Sequence, residues 1–397
     1  MLFALALLAF VSLGLPDGVL GVAWPSMRAS FGLPLAQLGV LLAASMVGYL
    51  GSSFTSGWLV ARLGVGRLLV WSSALIVANS AAYALAPRWS AMVAAAVLAG
   101  LGAGAIDAGI NAFAAVRFPP RLLSWLHAAY GVGAMAGPLL MTAVLAGGHS
   151  WRLGYALLGL ALAGMMVAFV RARPLWQARA PAASPGASTA PAPARRLTAT
   201  LRRPAVWLNV ALFFLYTGIE VTAGQWTYSL FTEGRGITPE LAGLLAAGYW
   251  GALTMGRIGF GWLADRVPAP TLLRVAMMGA PVAALLLWRA PGAWGGGAGL
   301  LALGISLAPI YPLLVAATPE RLGDADTANA IGFQVAAACL GAAVLPGAAG
   351  LLAHRGGLDV IGPFLLGAAL LLLLLHALAA RRPALALRRP VAARARA

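Results

Sequence analysis

Charged residues are scarce in this chain of 397 residues, and acids are the scarcest of them. Only 9% of the residues are charged, and only ten are Asp or Glu. An ordinary soluble domain has about 25% charged residues, whereas apolar residues make up 61% of this chain. The composition therefore excludes an ordinary soluble domain and predicts a membrane protein.

Cysteine and the common catalytic motifs are nearly absent as well. Cys339 is the only cysteine, which excludes an intramolecular disulfide and leaves the redox compartment open. The sequence has no His-Glu-x-x-His helix, no Gly-x-Ser-x-Gly elbow, no paired metal ligands and no nucleotide-binding loop. These absences argue against an intramembrane enzyme and against an ATP-driven pump. We expect neither a cofactor nor a metal ion.

Long apolar stretches are what the sequence has in abundance. Lipid offers no partner for an unpaired backbone group, so each stretch must be a helix of roughly 20 residues. A membrane β-barrel would need alternating apolar and polar residues, whereas residues 370–375 are all leucine. We predict an all-α membrane protein with twelve transmembrane helices, at about residues 2–27, 36–61, 67–86, 91–116, 122–147, 152–170, 204–231, 241–265, 270–288, 295–317, 327–353 and 360–380.

The basic residues indicate how these spans are oriented. All 27 are arginine, and most lie in loops between spans. With both termini in the cytoplasm, twenty arginines fall on the cytoplasmic side and six on the outer side, and such a bias is the usual topology signal. We therefore expect an inner-membrane protein with cytoplasmic termini. The net charge of +17 then reflects topology, since the chain has no soluble domain that could bind nucleic acid.

The chain consists of two similar halves. Residues 57–62 (GWLVAR) recur as 261–266 (GWLADR), 204 residues later, and Gly137-Pro138 has a counterpart at Leu345-Pro346, 208 residues later. A near-constant offset indicates a duplicated six-helix unit, and such repeats place the binding site between the halves near the midplane. We predict two pseudo-symmetric six-helix bundles at 1–171 and 203–381, a flexible cytoplasmic linker at 172–202 and a basic cytoplasmic tail at 382–397.

The repeated element resembles the cytoplasmic loop signature of the major facilitator superfamily. The second copy carries both the acid and the base of that signature, and the first copy has Ala61 in place of the acid. The resemblance implies a cytoplasmic latch, a set of charges that pair in one conformation and separate in the other. The residues of this predicted latch are Asp265, Arg266, Arg62 and Arg67.

Within that superfamily the chain looks like the fucose-permease-like sugar transporters in four stretches, at residues 17–18, 107–111, 126–138 and 214–226. In that group, acids of the first and fourth helices are implicated in proton coupling and sugar binding. Carried over by motif, these acids are Asp17 and Asp107. The resemblance thus implies a major facilitator fold and symport of a sugar with protons.

Three acids lie inside predicted spans, and we interpret all three as proton-coupling residues: Asp17, Asp107 and Glu220. A charge at the bilayer centre costs roughly 2.5–3.5 kcal/mol and by default marks an ion or substrate pathway. Pro16 and Gly18 flank Asp17 and predict an interruption of the first span beside its carboxylate. The structural alternative is a neutral carboxyl group that only bonds to a neighbouring helix.

Further polar and aromatic residues accompany these acids. Asn111 lies four residues after Asp107 and shares its helix face, either to hold sugar hydroxyls or to join helices. Gln225 reaches the face of Glu220 only if Gly224 breaks the helix. The ring of Trp226 could stack on a sugar, although aromatic residues at span ends are more often interface residues. The predicted substrate-binding residues are Asp107, Asn111, His127, Tyr216, Glu220, Gln225 and Trp226.

These observations favour a secondary active transporter, which moves a small polar solute by alternating access between its two halves. We expect the solute to be a sugar, the coupling ion to be a proton, and the protein to work as a monomer in the lipid bilayer. One alternative is an exporter of amphipathic compounds or drugs, which the Trp and Met content permits. Another is a membrane sensor that transports nothing. The sequence leaves the identity of the solute and the direction of transport open.

Overall fold

The computed structural model describes residues 1–118, 120–177 and 197–381. Regular structure in these residues is entirely helical, with 3-10 turns at Leu35–Gln37, Arg173–Gln177 and Leu358–Val360 and a π-helical turn at Leu230–Gly234. The α-helices are α1 (Leu2–Phe31), α2 (Leu38–Leu85), α3 (Trp89–Arg117), α4 (Pro120–Ala146), α5 (Trp151–Ala172), α6 (Leu197–Leu201), α7 (Pro204–Ser229), α8 (Pro239–Leu263), α9 (Ala269–Arg289), α10 (Gly292–Leu307), α11 (Ile310–Ala316), α12 (Thr318–Leu322), α13 (Asp324–Gly356) and α14 (Ile361–Arg381).

These helices make twelve membrane crossings. Ten helical segments of the described chain are long and apolar enough to span a membrane. One of them, α2, supplies two crossings because Gly64, with a φ of 72°, breaks its helical path between the predicted second and third spans. The 25-residue α8 adds the twelfth crossing. The prediction of an all-α membrane protein with twelve transmembrane helices is confirmed.

An even number of crossings puts Leu2 and Arg381 on the same side of the bundle. We call this side the terminal face and the other side the opposite face. At the terminal face lie the break at Gly64 and the C-terminal end of α8. At the opposite face lie the end of α1 and the link between α7 and α8.

Both ends of the predicted linker are helical. Trp176, in the 3-10 turn after α5, is buried against Phe113, with ring centroids 5.0 Å apart. On the other side, Thr200 in α6 donates a 2.7 Å hydrogen bond to Asp326. These contacts fix the two ends of the linker to the two bundles. Residues 178–196 of the linker and the predicted tail at 382–397 lie outside the described residues.

Glycine allows equivalent helices of the two bundles to approach in the same way. A methyl group at Gly14 or Gly18 of α1 would lie 2.0 Å or 2.1 Å from a backbone carbonyl oxygen of α4. A methyl group at Gly341 of α13 would lie 2.0 Å from the carbonyl oxygen of Phe214 in α7. Small residues permit such close packing of helices in lipid. The pair α1–α4 therefore corresponds to the pair α7–α13, as the internal repeat predicts.

The two bundles meet at mid-depth and toward the opposite face. A methyl group at Gly39 of α2 would lie 2.8 Å from the Cα atom of Gly347 in α13. Arg28 near the end of α1 donates a 2.6 Å hydrogen bond to Glu233, in the π-helical turn after α7, and forms an ion pair with it. These contacts close the opposite face, and we call the ion pair the opposite-face latch.

Candidate solute and proton site

Asp17 projects from the middle of α1 toward α4. Its Oδ2 atom accepts a 2.8 Å hydrogen bond from the hydroxyl of Tyr130 in α4, and its side chain is exposed. The helix continues through Pro16 without a break, so the predicted interruption of the first span is wrong. The close packing of α4 on α1 at Gly14 and Gly18 holds this segment helical, and neighbouring helices commonly make proline tolerable within a span.

A cavity of about 70 Å³ lies beside Asp17, lined mainly by the first bundle and closed on one side by α7. Its polar lining includes Ser45, Asn79 and Gln225. The Oδ1 atom of Asn79 and the Oε1 atom of Gln225 are buried and accept no hydrogen bond from any described residue. A polar cavity of this size is large enough for water. It can therefore hold water beside the carboxylate of Asp17.

Asp107 is held by two neutral donors. Its Oδ2 atom accepts a 2.5 Å hydrogen bond from the hydroxyl of Tyr49 in α2, and its Oδ1 atom accepts a 2.8 Å hydrogen bond from Asn111. Asp107 and Asn111 thus lie on one face of α3, as their spacing of four residues indicates. Asn111 bonds to the carboxylate within its own helix, and the bond that joins α3 to another helix comes from Tyr49 of α2.

His127 in α4 is exposed and lies edge-on to Phe10 of α1, with ring centroids 5.3 Å apart. Its imidazole interacts electrostatically with both Asp107 and Arg257. This residue therefore lies near both an acid of the first bundle and a base of the second. Such a position suits contact with a solute or transfer of a proton.

Glu220 in α7 is buried and forms an ion pair that was not among the expected contacts. Its partner is Arg257 of α8, whose Nη2 atom lies 3.1 Å from Oε2 and 3.3 Å from Oε1. The hydroxyl of Tyr216, one turn earlier in α7, also donates to Oε2. Arg257 lies inside the predicted eighth span, and the rule for charges within membranes applies to it as much as to the acids. That signal could have identified it.

Tyr311 in α11 connects the acids of the two bundles. It interacts electrostatically with Asp107, Glu220 and Arg257. Its ring also lies 6.0 Å from that of Tyr216, centroid to centroid. Asp107 of the first bundle and the ion pair of the second therefore surround the same region.

Tyr130 makes the corresponding connection for Asp17. Besides its hydrogen bond to that acid, it interacts electrostatically with Glu220 and Arg257. Asp17, Asp107 and Glu220 thus converge on one interior between the bundles. We call this region the central site.

Two predicted substrate-binding residues do not face the ion pair of Glu220 and Arg257. Trp226 is completely buried, and its Nε1 atom donates a 2.9 Å hydrogen bond to the carbonyl oxygen of Pro346 in α13. Gln225 donates a 3.0 Å hydrogen bond to the carbonyl oxygen of Asp17. Because α7 stays helical through Gly224, Gln225 points toward α1 and does not join the face of Glu220.

The four residues of the predicted cytoplasmic latch are exposed at the terminal face: Asp265, Arg266, Arg62 and Arg67. Among the described residues, none of the four forms an ion pair. Arg62 instead stacks on Trp58, with its guanidinium 4.3 Å from the ring centroid, and Arg266 stacks on Trp262 at 3.9 Å. In this conformation the predicted latch is therefore open while the opposite-face latch is closed.

A family profile described as the Major Facilitator Superfamily matches residues 5–324. The chain belongs to this superfamily. The match agrees with twelve crossings, an internal repeat and polar residues between two bundles. This is a family of membrane transporters and not of enzymes.

Among curated proteins, the chain is 24% identical to Bypass of stop codon protein 6 of Saccharomyces cerevisiae over 66% of its length, and it spans 56% of that protein. It is 26% identical to the Hexuronate transporter of Bacillus subtilis over 64% of its length, and it spans 61% of that protein. It is also 25% identical to the Cis,cis-muconate transport protein of Acinetobacter baylyi, over 92% of this chain and 90% of that one.

Among solved structures, the chain matches the Major Facilitator Superfamily transporter FucP, described in its outward conformation. The TM-score is 0.65 over 96% of this chain and 98% of that one, and the sequences are 16% identical. This match shows the fold. It confirms, at the level of the fold, the resemblance to the fucose-permease-like group.

Proposed function

We propose that this chain is a proton-coupled secondary transporter of a small polar solute of the sugar class. In this proposal the protein is integral to the inner membrane. Both termini and the terminal face are on the cytoplasmic side. The observation that carries the proposal is the central site, where acids from both bundles share one interior. The name of the Bacillus subtilis relative, a hexuronate transporter, agrees with a solute of this class.

The central site holds carboxylates, which suit a proton, and an amide and an imidazole, which suit a solute. Carboxylates bonded to neutral donors, as Asp17 is to Tyr130, can gain and lose a proton without leaving a buried cation unpaired. The amide of Asn111 and the imidazole of His127 offer hydrogen bonds to solute hydroxyl groups. A proton and a solute would thus be taken up within the same interior.

Alternating access follows from the two latches in this proposal. The ion pair Arg28–Glu233 closes the outer side in the conformation described here. When the bundles rock, this pair would separate and the predicted latch of Asp265 and Arg266 with the arginines of the first loop would close the cytoplasmic side. The repeated structure allows such a motion to occur as a largely rigid rotation of one bundle against the other.

The test of this proposal is proton-driven uptake by purified protein in liposomes, screened with a panel of labelled monosaccharides and sugar acids. An imposed inward proton gradient should drive accumulation of at least one of them, and a protonophore should abolish it. Asp17→Asn should abolish accumulation while leaving exchange of solute across the membrane.

The matched control is Glu240→Gln, which neutralises an exposed acid in the first turn of α8. It should accumulate solute as the wild type does. If Asp17→Asn still accumulates solute against a gradient, coupling through this residue is wrong. If no solute moves with any driving force, the transport proposal itself fails.

A further inference from the structure

Arg257 is unusual among the arginines of the chain because it lies within a helix at the central site. Arg28, Arg117 and Arg289, by contrast, stand in the last turns of their helices. A guanidinium buried in a membrane is expensive and is kept only where it is paired or functional. Arg257 therefore calls for a role beyond topology.

The ion pair with Glu220 uses only part of this guanidinium. All three described hydrogen bonds of Arg257 leave from Nη2, two to Glu220 and one of 3.4 Å to the hydroxyl of Tyr216. Within the described part of the chain, its Nε and Nη1 atoms donate to no residue. A guanidinium has five N–H donors, so three of them remain for another acceptor.

The unused donors are accessible from the interior. The Arg257 side chain keeps 19% of its surface exposed, against 10% for that of Glu220. The charge of Arg257 acts on Tyr130 and His127 of α4 and on Tyr311 of α11, so it is central among the polar groups of both bundles. A planar fork of donors in a low-dielectric site matches a carboxylate, which accepts two parallel hydrogen bonds.

We propose that Arg257 binds a carboxylate group of the solute, so that the transported solute is an organic acid, with a sugar acid as the form that fits the proposed function. This inference rests on that function, because it names the chemistry of the solute that the central site takes. It assigns Arg257 as a substrate-binding residue. Glu220 then acts as the internal carboxylate that occupies the guanidinium when no solute is bound.

Charge balance couples solute and proton in this arrangement. Without solute, one carboxylate and one guanidinium face each other. When the solute carboxylate binds Arg257, a proton taken up by Glu220 keeps the buried charge unchanged, since one anion replaces another. Without that proton, two carboxylates would share one guanidinium, and like charges in a low-dielectric site repel strongly. The proton remains on Glu220 until the solute leaves.

The experiment compares molecules that differ only in the carboxylate. Binding of D-glucuronate and D-galacturonate to purified full-length protein is measured against D-glucose and D-galactose, by calorimetry and thermal shift. At least one sugar acid should bind more tightly than its neutral partner. Arg257→Gln should weaken that binding by at least about 30-fold, which corresponds to about 2 kcal/mol for removal of one partner of a buried charge pair.

Three further variants keep the test decisive if Arg257→Gln does not fold. The double variant Glu220→Gln/Arg257→Gln removes both charges together and should fold without binding the acid. Glu220→Gln alone should keep acid binding and lose the uptake of a proton on binding. Arg257→Lys should recover only part of the affinity, because an ammonium group lacks the planar fork.

Each result bears on one proposal. A neutral sugar that binds more tightly than its acid, with no effect of Arg257→Gln, overturns the assignment of Arg257 but leaves sugar transport intact. Acid binding that survives in the double variant also overturns it. Failure of every compound to move across liposomes overturns the proposed function instead.

Discussion

The two bundles are built alike but hold the acids of the central site differently. In the first bundle Asp17 and Asp107 accept hydrogen bonds from neutral donors, namely Tyr130, Tyr49 and Asn111. In the second bundle Glu220 is paired with Arg257. The same fold therefore holds acids with neutral hydrogen-bond donors in the first bundle and an acid with a cation in the second.

The internal repeat shows where this difference arises. The offset of 204 residues that relates the two GWL elements places Ser53 opposite Arg257. Ser53 donates only a 3.4 Å hydrogen bond to the carbonyl oxygen of Gly104. A small hydroxyl in one half thus corresponds to a guanidinium in the other. The comparison suggests that only the second half offers a fixed cation to an anionic solute.

The largest expected effect tests the likeness of the two halves. Gly18→Ala and Gly341→Ala each place a methyl group within about two ångströms of a carbonyl oxygen, and each should destabilise the protein by about 3 kcal/mol, the upper end of overpacking costs. The measurement is thermal unfolding in detergent. Gly164→Ala, where nothing lies within 4 Å, is the control and should unfold as the wild type does. A tolerated change in only one half would break the comparison.

A smaller effect, on solute binding, distinguishes the role of Asp107 from that of its donor Asn111. Asp107→Ala should weaken solute binding by about 2 kcal/mol, the size expected for a lost charged hydrogen bond. Asn111→Ala should cost about 1 kcal/mol, as for a neutral one. Calorimetry with the solute found by the uptake screen measures both. Unchanged affinity in Asp107→Ala would remove this acid from solute binding and leave it as a contact between helices.

The fold could be predicted almost completely because lipid permits few solutions. Length and apolarity fix the spans, and the repeat fixes their grouping. The structure differs from the prediction in the continuity of two helices, which depends on packing between helices and cannot be read from composition. Pro16 leaves α1 continuous because α4 packs closely against it, and α7 continues through Gly224, where the ring of Trp250 fills the space beside the glycine.

The central site was predictable only in part. An acid inside a span is visible in the sequence, so Asp17, Asp107 and Glu220 could be named. Their partners come from other helices, and a sequence does not show which faces meet. The pairing of Tyr130 with Asp17 and of Arg257 with Glu220 therefore emerged only from the structure, although Arg257 itself is visible as a charge inside a span. Trp226 is buried against α13.

The smallest effect concerns the opposite-face latch, an exposed ion pair of a kind that contributes about 0.2–1 kcal/mol. Loss of that energy should shift the balance between conformations only a few-fold. Arg28→Gln should therefore expose the central site more often to the opposite face. The exchange Arg28→Glu/Glu233→Arg should restore the original balance.

Cys339 offers the most direct test that one interior faces each side in turn. It is the only cysteine of the chain, is half-buried in α13, and interacts electrostatically with Asp107. A membrane-impermeant maleimide, applied to right-side-out and inside-out vesicles, should label it faster from the terminal face in the wild type and relatively faster from the opposite face in Arg28→Gln. Equal labelling from both faces, unchanged by Arg28→Gln, would contradict the account.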